Sequence, residues 1–161
     1  MMPEGRPSLS SEHDIENVMY RYGEYVDLAR FDELGELFRH GAIRSDRGSG
    51  DLRGEAVATF YRATNRVHPD TGTLRTRRIA SNVIIEVDDP AGTATARSYF
   101  VVCQQTSVLP LQPIVAGRYH DTFRRIEGEW WFDLRMIYVE LIGDMTQHLS
   151  FDLRHERAPR F

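Results

Sequence analysis

Apolar residues fall at helical spacing in the opening stretch of the chain and switch to strand-like alternation after Thr76, which predicts helices followed by a sheet. Ile15, Val18, Met19, Tyr22, Val26 and Ala29 lie on one stripe of a first helix. Ser10 or Ser11 is suited to cap it, with Glu12 and Asp14 well placed in its first turn. A second, short helix is predicted over residues 32–38, with Leu34, Leu37 and Phe38 inward, and a third begins near Glu55 after Gly54. Then "RRIASNVIIEVDD", the turn "DDPAG" and "TATARSYFVVCQQ" make one long hairpin, and "VAGRYHDTFRRI", Glu127-Gly128 and "EWWFDLRMIYVEL" make another. The two-proline segment "TSVLPLQPIV" between them reads as a loop over an opening. Helices followed by a curved antiparallel sheet is an α+β order, and a sheet wrapped around helices forms a cone with an apolar interior. The expected organisation is a disordered arm over 1–10, a single domain over 11–149 and a polar, arginine-rich tail over 150–161.

Alternation also sorts the charges of "TLRTRRIASN". Ile79, Ser81, Val83, Ile85 and Val87 form one row suited to packing, and Arg78, Ala80, Asn82, Ile84 and Glu86 form the other, suited to a pocket wall. Arg77 then points away, and Arg75 precedes the strand in a loop. In the second hairpin Tyr119, Asp121, Phe123 and Arg125 share a row, and Trp131, Asp133, Arg135 and Ile137 share another across the turn. Asp121 and Arg135 can therefore form a cross-strand ion pair. That pair reads first as structure; alternatively, Arg135 holds an acidic or keto group of a substrate. Tyr22, Tyr99 and Tyr119 offer hydroxyls to a substrate oxygen, or serve as core residues with satisfied hydroxyls.

Composition removes whole classes. A net charge of −4 supplies no basic excess for nucleic acid. All twenty basic residues are arginine, so no lysine Schiff base is available. The single cysteine, Cys103, cannot close an internal disulfide, which fits a reducing, cytoplasmic setting. No apolar run approaches the roughly 20 residues needed to cross a bilayer, and "MMPEGRPSLS" lacks the apolar core of a secretory signal. The histidines follow no metal-ligand spacing, and no GxGxxG, P-loop or GxSxG string occurs. Neither a metal nor a cofactor is expected. His120 faces away from Tyr119 and Asp121, while His148, in "GDMTQHLSF", lies where the tail can fold back over the cone mouth.

"MYRYGEYVDLARFDELGELF", "TLRTRRIASNVIIEV", "TARSYF" and "GRYHDTFRRIEGEWWFDLRMI" together resemble the SnoaL-like branch of the nuclear-transport-factor-2-like superfamily, over roughly residues 14–148. The resemblance implies a cone-shaped curved antiparallel sheet wrapped around N-terminal helices, a cystatin-like α+β barrel. It also implies a small hydrophobic molecule as partner, and a homo-oligomer, dimer or trimer, formed through the outer sheet face. In dehydratase-like and cyclase-like members an aspartate late in the first helix pairs with a histidine opening the first long strand. "YVDLARFDEL" places Asp27 at the aspartate position, and "TRRIASN" places Arg78 where the family string resembling "TRH..tN" carries its histidine.

The resemblance thus implies that Asp27 abstracts a proton beside a carbonyl and Arg78 stabilises the enolate. Tyr22, Asn82, Tyr119, Asp121 and Arg135 would orient the substrate. The reaction would be a cofactor-independent cyclisation, isomerisation or loss of water on a cyclic or polyketide-like compound. Arginine, however, cannot shuttle a proton, and its charge lowers the pKa of a neighbouring carboxylate. Two alternatives therefore stand beside the enzyme: a ligand-binding protein or non-catalytic partner subunit, and an oligomeric scaffold whose pocket is filled by side chains.

Overall fold

Ser10 caps the first helix, its hydroxyl accepting from the His13 backbone N–H at 3.3 Å. In this computed structural model residues 10–48 and 50–154 are described; residues 1–9 of the expected arm and 155–161 of the expected tail lie outside them. Helices α1 (Ser11–Asp27) and α2 (Phe31–Leu37) are followed by two short strands, β1 (Ala42–Ser45) and β2 (Leu52–Arg53), and then by α3 (Glu55–Thr64). Four long strands complete the fold: β3 (Thr76–Asp88), β4 (Thr93–Gln104), β5 (Gln112–Ile126) and β6 (Glu129–Ile142). They form one sheet with the short strands in the order β2-β1-β6-β5-β4-β3. Every pairing is antiparallel except that of β1 with β6. The two long hairpins stand as the alternation predicts. The two short strands show no alternation in the sequence because neither is long enough to establish one.

The apolar stripes of the helices meet the inner face of the sheet. Ile15 and Val26 of α1, Leu34 of α2 and Val57 of α3 are fully buried. Phe38 stacks on Phe132 at 4.8 Å, and Phe132 on Phe123 at 5.0 Å, joining the helical layer to β5 and β6. No described helix is long and apolar enough to cross a membrane.

Bulges curve this sheet and break the simple row assignment. β3 loses register with β4 between Ser81 and Ile84, and Asn82 there adopts φ 53°. Asparagine tolerates that left-handed backbone better than the branched residues around it. The bulge inverts the facing of the residues beyond it. Thr76, Arg78 and Ala80 face the helices before it, and Val83, Ile85 and Val87 after it, while Ile84 and Glu86 turn outward. The expected row Arg78–Ala80–Asn82–Ile84–Glu86 is therefore corrected: Asn82 is exposed at the bulge and does not join Arg78. β6 does the same at Asp133, so Trp130 and Phe132 are buried on one side of the bulge and Arg135 and Val139 on the other.

Two further features differ from expectation. Residues 105–111 form a loop whose Val108 and Leu111 are 73% and 71% exposed, but none of these residues covers the opening of the interior. The cover is instead the segment 144–154, which crosses back over the sheet edge. Arg66 N–H donates to His148 O at 2.8 Å, Ser150 N–H to Thr64 O at 2.8 Å, and Gln104 Nε2 to Gln147 O at 3.0 Å. Phe151 and Leu153, placed in the tail by their sequence position, pack into this strap.

Candidate functional site

The inner face of the sheet, α3 and the strap enclose a cavity of about 440 Å³. Its walls are mainly apolar: Phe100, Val102, Val115, Ile137 and Val139 from the sheet, Phe60 from α3, and Leu149 and Phe151 from the strap. Polar side chains break that lining, among them Tyr22 from α1, Tyr61 from α3, Arg78 from β3, Tyr119 from β5 and His148 from the strap; Ser45, Arg47, Asp51, Thr64 and Asn65 line it as well.

Tyr22 and Tyr61 share a hydrogen bond at 2.7 Å in which either hydroxyl can donate. Tyr119 stacks on Phe100 at 4.5 Å and is 4% exposed, yet its hydroxyl makes no hydrogen bond with any described residue. Burial, then the neighbouring Tyr22, pushes the Tyr119 phenol far above its ordinary pKa, and burial does the same for Tyr61. Both hydroxyls stay protonated and able to donate.

Arg78 is held at three points. Its Nη1 donates to Asp27 Oδ1 at 2.7 Å, its backbone N–H to Asp27 Oδ2 at 2.8 Å, and its Nη2 to His148 Nε2 at 3.2 Å. Thr76 Oγ1 adds a further donor to Asp27 Oδ1 at 2.7 Å. Asp27 closes α1, where the helix dipole disfavours a carboxylate, and these donors offset that cost. Since a guanidinium can only donate, His148 Nε2 must accept, and the neutral imidazole carries its hydrogen on Nδ1. Burial, then Arg78 and His68, holds His148 well below its ordinary pKa, so it is uncharged. Nδ1 itself is buried without a partner.

A second ion pair lies behind the tyrosines. Arg135 Nε and Nη2 donate to the two oxygens of Asp121 at 2.9 and 2.8 Å, with the residues 1% and 2% exposed. Burial disfavours the Arg135 charge, and Asp121 more than restores it. The guanidinium carbon sits 3.8 Å from the centre of the Tyr119 ring and 4.5 Å from that of Tyr22, a cation–π stack that fixes both rings.

Of the residues expected from sequence, Tyr22, Arg78 and Tyr119 line the cavity. Asp27 stands behind Arg78 with both oxygens occupied, and Asp121 and Arg135 stand behind the tyrosines; none of the three lines the cavity. Asn82 is remote from it, and Tyr99 is 53% exposed on the outer face. Tyr61 went unmarked in the sequence. Its signal was its place on the buried stripe Val57, Ala58, Tyr61 and Thr64, which reads as packing until the hydroxyl of Tyr22 is brought against it.

Solved structures share this architecture. An NTF2-like protein with a cystatin-like fold from Novosphingobium aromaticivorans aligns with a TM-score of 0.66 at 22% identity, covering 80% of this chain and 80% of that one. A putative scytalone dehydratase from the same organism gives 0.63 at 22% identity, covering 83% and 86%. ActVI-ORFA from Streptomyces coelicolor gives 0.64 at 13% identity, covering 80% and 96%. No match was found among curated proteins. The curved sheet around its helices is the nuclear-transport-factor-2-like, cystatin-like fold. Within it the chain belongs to the SnoaL-like domain family, whose sequence profile matches residues 7–136.

Proposed function

We propose that this protein binds a small, mostly apolar, ring-containing molecule with a carbonyl or hydroxyl oxygen directed at Tyr119 and Arg78. The observation that carries the reading is the Tyr119 hydroxyl: protonated, unpartnered, and set in an apolar cavity beside a guanidinium that is already anchored from behind. A hydroxyl that opens onto an apolar cavity with no partner among the described residues is free to donate to a ligand oxygen. Fluorescence titration with 2-naphthol and 2-tetralone tests this. Tyr119→Phe is expected to weaken binding about fivefold to tenfold, the value of one buried hydrogen bond. Absence of saturable binding, or equal affinity in Tyr119→Phe, would sink the reading.

A catalytic reading is favoured by one further contact, the neutral imidazole of His148 against Arg78. On this reading the protein is a cofactor-independent lyase, isomerase or cyclase. A ketone oxygen would draw Arg78 Nη2 toward itself and free His148 Nε2 to accept the proton from the carbon beside the carbonyl. The C–H electron pair forms the enolate carbon–carbon double bond, and the negative charge comes to rest on oxygen against Arg78 and Tyr119. Reprotonation elsewhere, attack on a second carbonyl or expulsion of a β-hydroxyl as water completes each variant. Asp27 then orients Arg78 instead of acting as the base. Exchange of the α-hydrogens of 2-tetralone in deuterated water, monitored by NMR, separates the two readings. Exchange accelerated by the protein and lost in His148→Gln supports catalysis; exchange at the spontaneous rate leaves binding alone.

A further inference from the structure

Besides the tyrosines, four residues lining the cavity carry a side chain that is charged or can become so: Arg78, His148, Asp51 and Arg47. His148 is neutral, and Arg78 is balanced from behind by Asp27 at 2.7 Å. Asp51 is gripped by both donors of Arg44, at 2.7 and 2.9 Å, with Arg53 at 3.9 Å. Arg47 alone has no carboxylate within 4.0 Å among the described residues; its Nη1 reaches only the Leu153 carbonyl, at 3.5 Å.

Arg47 is also held in place. Its backbone N–H donates to Ser45 Oγ at 3.1 Å, and the loop is pinned to β6 by Asp46 N–H to Ile137 O and Val139 N–H to Asp46 Oδ1, both at 3.1 Å. Of the nearby carboxylates, Asp51 is paired with Arg44 and Asp152 with Arg154, while Asp46 accepts from the Val139 backbone N–H and forms no ion pair with Arg47. Arg47 is half-buried where exposed Gly50 and Asp51 mark the opening of the cavity. The inner wall is therefore electrically balanced and suits a neutral oxygen, whereas the mouth presents a half-buried cation with no ion-pair partner among the described residues.

From this we infer that the ligand is an acid: a fused-ring or cyclic compound with a neutral hydroxyl or oxo group directed inward and a carboxylate at the mouth, paired with Arg47. This assignment rests on the pocket reading above and adds the second group to it. Reversed, the carboxylate would bring an unbalanced charge against the Asp27–Arg78 pair in the least solvated part of the cavity.

Matched pairs of probes test it: 2-naphthol against 6-hydroxy-2-naphthoate, and the corresponding one-ring pair, phenol against 4-hydroxybenzoate. Each is titrated into the wild type and into Arg47→Gln, a change at the half-buried mouth, outside the apolar core. The acid is expected to bind about fivefold to twentyfold tighter than its neutral partner, an advantage that shrinks with added salt and disappears in Arg47→Gln. The neutral probes should lose less affinity than the acids on that substitution. If the neutral probes bind and the acids gain nothing, the acid assignment falls and the pocket reading stands. If the acids keep their advantage in Arg47→Gln, the carboxylate lies elsewhere and the assignment falls. If no probe of either kind binds, both fall together.

Discussion

Arg135 is 1% exposed, and Asp121 answers it with both carboxylate oxygens while the rings of Tyr119 and Tyr22 cover its faces. A pair this deep contributes less by attraction than its loss would cost, because removing one partner strands the other charge in a dry interior. Arg135→Met is expected to lower unfolding stability by about 3–5 kcal/mol, and the double change Asp121→Leu/Arg135→Met to recover most of it. Urea unfolding of the two variants measures this; a single variant within about 1 kcal/mol of wild type would show the pair to be dispensable. Asp27 and Arg78 divide differently. Their contact anchors a guanidinium whose other edge faces the cavity, so the same ion-pair chemistry gives structure in one place and a binding surface in the other.

At the scale of elements, the bulges do what regular strands cannot. They bend the sheet until it wraps the helices, and they change which side chains face inward partway along a strand. Gly117 shows how tight the bend is. It sits at the register shift between β5 and β6, and a Cβ there would stand 1.9 Å from Tyr138 O and 3.0 Å from Phe100 Cε1. The first of these is backbone and cannot move aside. Gly117→Ala is therefore expected to cost about 1–3 kcal/mol and to disturb the Phe100 wall of the cavity. Thermal unfolding with and without a bound naphthol reads both effects. Unchanged stability together with unchanged affinity would mean that the close approach is not needed.

At the scale of the whole molecule, the strap couples the cavity to stability. His148 is neutral in the fold, held well below its ordinary pKa of 6.5 by burial, then by Arg78 and His68. Between those two values the unfolded chain binds a proton that the folded chain does not. This contribution is therefore complete above pH 6.5 and is lost as the pH falls below it. The slope approaches about 1.4 kcal/mol per pH unit. Urea unfolding at about pH 7.5 and about pH 5.0 should show wild type losing more stability than His148→Gln; equal losses would place the imidazole outside the balance.

The helix stripes, both long hairpins and the Asp121–Arg135 register were legible in the sequence, because each comes from a fixed period of side-chain direction. The inward facing of Arg78 was legible for the same reason, since it lies before the bulge. Asn82 was misassigned because a bulge is one extra residue that leaves no mark on a hydrophobic pattern. β1, β2 and the strap were not legible either; their positions depend on partners far along the chain, such as Leu134 for Ala42 and Thr64 for Ser150.

The amino-acid order alone carries the helical stripes, the long hairpins, the family and an inward-facing arginine at position 78. What that arginine does follows from the partners the fold brings to it. Its charge is shared between Asp27, forty-nine and fifty-one residues from its two donors Thr76 and Arg78, and a histidine seventy residues beyond Arg78. Periodicity fixes the face on which a side chain lies, but the partners it meets there are set by contacts between distant segments, which no local pattern records.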